Sequence, residues 1–239
     1  MNNRLYLCGA TLLINCNFSS PAIAGDEENA KNMATLFMSG RAVISEYQSK
    51  INDPDIGEKG LTGDFVVSAA KEKYKERLNK RVDEKDPNQR AIVEAIREVM
   101  AEAQPVINQK DKTFKGFLPA VFASQVASKA SQKMNGKAFI KLTAPKELVR
   151  NKRNSPDSWE NTAIETIFKI AGYEKGKPYS ELTEEKGQIA FRYIQPEYYK
   201  KSCLNCHGKP KGERDISGGI KEGASLDDLG GAVSITFFK

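Results

Sequence analysis

Histidine is the scarcest resource in this sequence: 239 residues contain one His, one Trp and four Cys. A single His excludes every metal centre that needs two or more imidazoles. Four Cys are far too few for a disulfide-stapled scaffold. Neither sign of charge dominates, with 37 Lys and Arg against 31 Asp and Glu and a net charge of +6. Basic residues alternate with acidic ones along the chain, as on solvated helix faces, so no nucleic-acid footprint is evident. Internal repeats and low-complexity tracts are also lacking. What remains is a globular composition, 39% hydrophobic with eleven Phe and eight Tyr. That is enough for a proper core in one domain or two small ones.

Residues 1–24 have the parts of a secretory signal. Arg4 supplies the positive charge, Leu5 to Ile14 the short apolar run, and Ala22-Ile23-Ala24 the small-x-small ending, with cleavage expected before Gly25. A membrane anchor needs about 20 apolar residues, and Asn15, Asn17, Ser19, Ser20 and Pro21 interrupt this run. Lipid attachment at Cys16 is disfavoured by Asn15, because such sites use a small residue there. No other segment is long and apolar enough to span a bilayer, so a periplasmic protein with no stable membrane span is expected. Removal of the signal takes Cys8, Cys16 and Arg4, leaving Cys203 and Cys206 as the mature cysteines and lowering the charge excess to five.

The remainder divides by periodicity into a helical region, 25–112, and a mixed domain, 113–239. Met33, Leu36, Phe37, Gly40, Ile44, Tyr47 and Ile51 form one helical stripe, stopped by Asn52-Asp53-Pro54. A second helix follows Asp64, with Val67, Ala70, Tyr74, Leu78 and Val82 on one face. Asp86-Pro87-Asn88-Gln89 predicts an N-cap, a proline at the first helical position and a Gln returning to the cap, in a helix that Pro105 ends. Pro119 opens a fourth helix with Val121, Phe122 and Val126 inward and Asn135-Gly136 as its exit. Alternation then predicts strands at 138–144, 188–194 and 232–238, with a helix from Ser155-Pro156 to Gly172 between the first two. Residues 208–230, rich in glycine and charge, read as a long loop that covers or serves a site. The fold class is α+β.

Cys203-Leu204-Asn205-Cys206-His207 is a C-x-x-C-H sequence, the attachment signature of haem c. Two thiols three residues apart reach the two vinyl groups on one edge of a porphyrin, and the adjacent imidazole swings beneath the ring to bind iron. Such attachment follows export, in agreement with the leader. A redox dithiol would leave the His unexplained and lacks a thioredoxin-like βαβ context. A zinc site would be one ligand short unless a carboxylate joined. A disulfide at this spacing is strained.

With His207 as the proximal iron ligand, the sequence has no second His, and both mature thiols are consumed as thioethers. The sixth position falls to Met33, Met38, Met100 or Met134, to Lys, Tyr or the new amino terminus, or stays open to water or a gas. Methionine ligation suits electron transfer, and an open site suits ligand binding. Met33 and Met100 lie on apolar helix stripes, where core filling competes with ligation.

Two blocks carry a family resemblance. Arg150-Asn151-Lys152-Arg153-Asn154-Ser155-Pro156-Asp157-Ser158-Trp159-Glu160 is similar to a pattern RNPxNxPDxWE, with Lys152 in place of Pro. The second is Cys203 to Gly208, followed by Gly230-Gly231-Ala232 entering the last strand. Both, with a weaker similarity over Leu118 to Lys133, resemble c-type haem proteins with a PAS-like domain, known as free exported cytochromes and as extracytoplasmic parts of bacterial sensor kinases. The resemblance implies N-terminal helices packed on a PAS-like antiparallel sheet carrying one covalent haem c. Some members bind iron through a Cys on the helix before the first strand. Here that neighbourhood holds Phe122, Ala123 and Ser124, so that ligand does not carry over.

Within the first block, Asp157 and Glu160 occupy a helix's first turn, where acids favour the dipole, and Asn154 and Asp157 read as structural. Arg150, Arg153 and Arg192 are candidates for pairing with haem propionates. The function expected is one-electron redox or electron transfer with a protein partner. The alternative is a haem-based redox or gas sensor that works through a membrane signalling partner. An enzyme such as a peroxidase is disfavoured, because no distal His is present for acid–base work. Terminal sequencing of the exported protein should find Gly25 first; a chain still starting at Met1 would contradict the export reading.

Overall fold

The computed structural model describes residues 21–239 except Lys186. The expected leader therefore lies almost wholly outside the described residues, and its cleavage point falls about one turn into the first helix. Four long helices precede a four-stranded antiparallel sheet: α1 (Pro21–Glu46), α3 (Gly63–Leu78), α4 (Pro87–Ile107) and α5 (Pro119–Lys133), with the short α2 (Gln48–Asn52) after α1. The strands are β1 (Ala138–Thr143), β2 (Tyr179–Glu185), β3 (Gln188–Tyr198) and β4 (Leu229–Phe238), in the order β1-β4-β3-β2. Between β1 and β2 lies α6 (Ser158–Ala163), continued by a π-helical turn, Ile164–Phe168. The short α7 (Leu204–His207) follows β3. The architecture is α+β, as the change of period predicts.

Local chemistry accounts for the helix ends. Asp86 caps α4, its carboxylate accepting from the amides of Asn88 at 2.7 Å and Gln89 at 2.9 Å, with Pro87 at the position that needs no donor. Gln89 turns elsewhere: its side-chain oxygen accepts from the amide of Asp83. Pro105 does not end α4, which continues to Ile107. Proline there removes one helical hydrogen bond within the last turn, and the Asn108 amide still reaches the Gln104 carbonyl at 3.1 Å. Asn135 and Gly136, both at positive φ, turn the chain from α5 into β1. Val121, expected inward, lies on the outer face of α5.

The sheet has two different faces. Ile140 and Leu142 of β1, Phe191 and Tyr193 of β3, and Val233, Ile235 and Phe237 of β4 meet Met33, Phe37, Ile44, Ile96, Met100 and Phe122 of the helices in the main core. Residues on both sides of residue 112 share that core. On the opposite face a smaller cluster joins Ile194 and Ala232 to Ala163, Ile164 and Phe168. Both clusters stop short of the β3 end at Tyr198, where the chain leaves the sheet for α7.

β2 is an element that hydrophobic alternation did not mark. Its sequence, Tyr-Ser-Glu-Leu-Thr-Glu-Glu, has no fully buried residue and pairs only with β3 at the sheet edge. Charged side chains are ordinary on such an edge, where they discourage strand addition.

Phe191 is fully buried and stacks on Phe237 with ring centroids 6.2 Å apart, whereas Ile189, two residues earlier, is 59% exposed. Phe191→Ala should cost about 3–5 kcal/mol in urea unfolding. Ile189→Ala should stay within about 0.5 kcal/mol. Equal effects would mean that the core does not end between these two same-face positions of β3.

Candidate functional site

The C-x-x-C-H segment sits just beyond β3, wound into one helical turn. Cys203 and Cys206 are both partly exposed, and neither forms a disulfide. Burial, helped by Asp215, raises the Cys206 thiol above its ordinary value.

His207 is held on two sides. Its Nδ1 lies 2.9 Å from Oε2 of Glu222 and 3.3 Å from the Tyr199 hydroxyl. The imidazole stacks on the Tyr199 ring with centroids 4.9 Å apart. Nε2 makes no hydrogen bond among the described residues. Burial and the positive charge of Arg150 lower the His207 value, against the pull of Glu222, which keeps the ring neutral near pH 7. Burial, with Glu222 beside it, pushes Tyr199 up to about 12, so the phenol stays protonated.

The Tyr199 ring in turn lies against backbone. A Cβ on Gly230 would come within 2.8 Å of it. Glycine at 230 is therefore required by close approach, which gives one of the paired glycines before the last strand a concrete role.

Arg150 ties this corner together. Its Nε and Nη2 hold the two oxygens of Glu222 at 2.7 and 3.0 Å, and its Nη1 reaches Oδ2 of Asp215 at 2.5 Å. Nη2 also donates to the carbonyls of Cys206 at 2.8 Å and Ile220 at 2.9 Å. One guanidinium thus joins the C-x-x-C-H turn to the loop after it. That loop doubles back as an irregular hairpin, with Arg214 bridged to Ile220 and the Ala224 amide on the His207 carbonyl at 2.8 Å. Asp215 organises its tip, accepting from the Ser217 hydroxyl at 2.5 Å and from the Ser217 and Gly219 amides. A Cβ on Gly219 would sit 2.7 Å from the Arg150 guanidinium, so glycine there makes room for it.

The other end of the Arg150–Glu160 block is anchored to the sheet. Asp157 caps α6 in a reciprocal capping box with Glu160. Asp157 also receives Arg192 of β3 at 2.6 Å, and buried Glu160 receives Lys141 of β1 at 2.7 Å. Arg192 extends to Glu185 at 2.5 Å and lies over the Trp159 ring at 4.4 Å. Helix α1 approaches from the other side: Arg41 pairs with Glu197 near the β3 end, and the Ser45 and Ser202 hydroxyls are 3.2 Å apart.

These contacts bear on several expected roles. Arg150 is engaged by protein carboxylates and carbonyls, and Arg192 by protein carboxylates. Arg153 is exposed. Met33 and Met100 are fully buried in the main core, and Met134 is nearly so. Met38 is partly buried and also packs against that core. Phe122 and Ala123 are buried there as well.

A family model described as Tll0287-like matches residues 27–237. The chain belongs to the Tll0287-like family. The match runs from α1 to β4, so it takes in the C-x-x-C-H turn, the Arg150 block and the helices alike. No curated protein and no solved structure matches the chain.

Within this Tll0287-like chain, Asp215, Glu222 and Tyr199 are site residues that periodicity and motif spacing did not find. No helix of the described residues is long and apolar enough to cross a membrane. Among them no group of three or more His, Cys, Asp or Glu is arranged to hold a metal ion.

The Asp215 side chain is fully buried beside Arg150. Removing the guanidinium in Arg150→Ala should cost about 3–5 kcal/mol, because a buried carboxylate loses its partner. Burial raises the Asp215 value, but hydrogen bonds from Ser217 and Arg150 outweigh it and hold the group below its usual 3.8. A depressed carboxylate contributes stability that is present above the unfolded value and is lost as pH falls through the folded one. In the haem-free protein, the protection factors of the Gly219 and Ser217 amides, taken relative to unstructured exchange at the same pH, should therefore be high at neutral pH and fall below about pH 4. Unchanged protection in Arg150→Ala would contradict the pinning role.

Proposed function

We propose that this chain is an exported, single-haem c-type haem protein acting in one-electron redox or electron transfer, on a PAS-like haem domain. Cys203 and Cys206 form the thioethers and His207 is the proximal iron ligand. The observation that carries this reading is the His207 environment: Nδ1 is fixed by Glu222 while Nε2 makes no hydrogen bond among the described residues, beside two thiols outside any disulfide.

The donor set fits the group. Metal-bound histidines characteristically give their second nitrogen to a carboxylate or carbonyl, which fixes the tautomer. A porphyrin face also needs apolar cover, and the loop after α7 presents Ile216, Ile220 and Leu226, each about half exposed. Membership of the Tll0287-like family supports the same reading, given the family's resemblance to haem c domains.

Bound haem would supply a one-electron couple at its iron. The protein's own contributions are separable. Each thiol would add across one vinyl group of such a haem, its sulfur taking one carbon and its hydrogen the other, with nothing released. Tyr199 sets the imidazole plane by stacking, and Glu222 holds the proton at Nδ1. Partial exposure of both cysteines puts the attachment edge at the surface, where electron exchange with a partner protein needs it. No residue is assigned a catalytic role. Residues 1–24 direct the chain to the periplasm, and no nucleic-acid partner is proposed.

A second reading, a redox or gas sensor that signals through a membrane partner, draws on one observation. Met33, Met100 and Met134 fill the main core, which leaves few side chains for the sixth position and favours a vacancy open to a small gas.

Expression with a haem-maturation system should give haem that survives acid–acetone extraction, and Cys203→Ser with Cys206→Ser should make it extractable. Haem extractable from the unmutated protein would overturn the reading. Inertness of the reduced protein toward carbon monoxide would support electron transfer, and rapid binding would support sensing.

A further inference from the structure

We propose that Glu222 is the positioning residue that sets the donor strength of His207 toward haem iron, and that Arg150 limits how much of the carboxylate's charge the imidazole receives. This inference rests on the haem reading above. Its basis is a three-part relay: Arg150 Nε and Nη2 on the two oxygens of Glu222 at 2.7 and 3.0 Å, then Glu222 Oε2 on His207 Nδ1 at 2.9 Å.

A carboxylate that accepts from Nδ1–H shares negative charge with the ring and makes Nε2 a stronger donor. A stronger donor favours the ferric over the ferrous state, so the reduction potential falls. Glu222 is well placed for this because it is largely sequestered, with 17% of its side chain exposed. Water competes little for its oxygens. Tyr199 holds the ring in the plane that the carboxylate needs, stacked at 4.9 Å.

Arg150 acts in the opposite sense. A guanidinium bidentate on a carboxylate draws charge from both oxygens, so less reaches Nδ1. Asp215 occupies the remaining Nη1 at 2.5 Å and absorbs part of that demand. The relay therefore has opposed settings: removal of the carboxylate charge and weakening of the guanidinium clamp should shift the potential in opposite directions.

The test is redox titration of the haem-loaded full chain, with covalent haem content measured first. In Glu222→Gln the potential should rise, because a neutral amide keeps the shape but not the charge. In Arg150→Lys the potential should fall, because the ammonium cannot hold both Glu222 oxygens at once. In Tyr199→Phe, which loses only the 3.3 Å hydroxyl contact, the shift should be the smallest of the three. A loosened or misfolded site would move both charged variants the same way, so opposite shifts are the signature of the relay. Full haem content with an unchanged potential in Glu222→Gln would overturn the proposal and leave the haem reading intact. Should Glu222→Gln not load haem, a rise or no change in Arg150→Lys would overturn it. No covalent haem in the unmutated chain would defeat the haem reading itself and the relay with it.

Discussion

Arg150 reaches from the segment after β1 into the loop after α7, and every nitrogen of its guanidinium is engaged there. It binds Asp215, both oxygens of Glu222 and two main-chain carbonyls, one of them that of Cys206. A loop rich in glycine and charge has little apolar surface with which to hold itself closed. Main-chain bonds shape the loop into a hairpin, and this one cation with the buried Asp215 that faces it ties the hairpin to the segment after β1. Lysine, a point charge without a planar fork, could not serve both carboxylates and both carbonyls.

The constraint propagates in both directions. Toward the sheet, the same stretch of chain continues to Asp157 and Glu160, which lock onto Arg192 and Lys141, so the loop is referenced to β1 and β3. Toward the site, Glu222 fixes His207, whose ring rests on Tyr199, which rests on the bare backbone of Gly230 at the start of β4. The imidazole is thereby positioned by elements separated widely in sequence but adjacent at one end of the sheet. The helical layer contributes less chemistry and more mass: it buries the opposite face and brings α1 up to the β3 end through Arg41 and Ser45.

Much of the fold was legible because local patterns carry it. The Asp86-Pro87 start of α4, the Asn135-Gly136 turn and the alternating runs of β1, β3 and β4 each follow from interactions within a few residues. β2 was not legible, since an edge strand of Glu, Ser and Thr lacks a buried face to impose alternation. Pro105 misled because one missing hydrogen bond near a helix end is tolerable. In the site, the five residues from Cys203 to His207 announce themselves by spacing alone. Their supports do not: Arg150 meets Glu222 across 72 positions and Asp215 across 65. The charge of Arg150 was visible in the sequence, and an anionic partner was expected for it, but which anion is a matter of tertiary structure.

A haem c protein of this kind is decided by the fate of two thiols, Cys203 and Cys206. The most direct measurement is a thiol titration of the exported protein, fully denatured, together with its reduced pyridine haemochrome spectrum. Covalent attachment predicts no reactive thiol and the spectrum of a haem joined by two thioethers. Two reactive thiols and no haem absorption would contradict it.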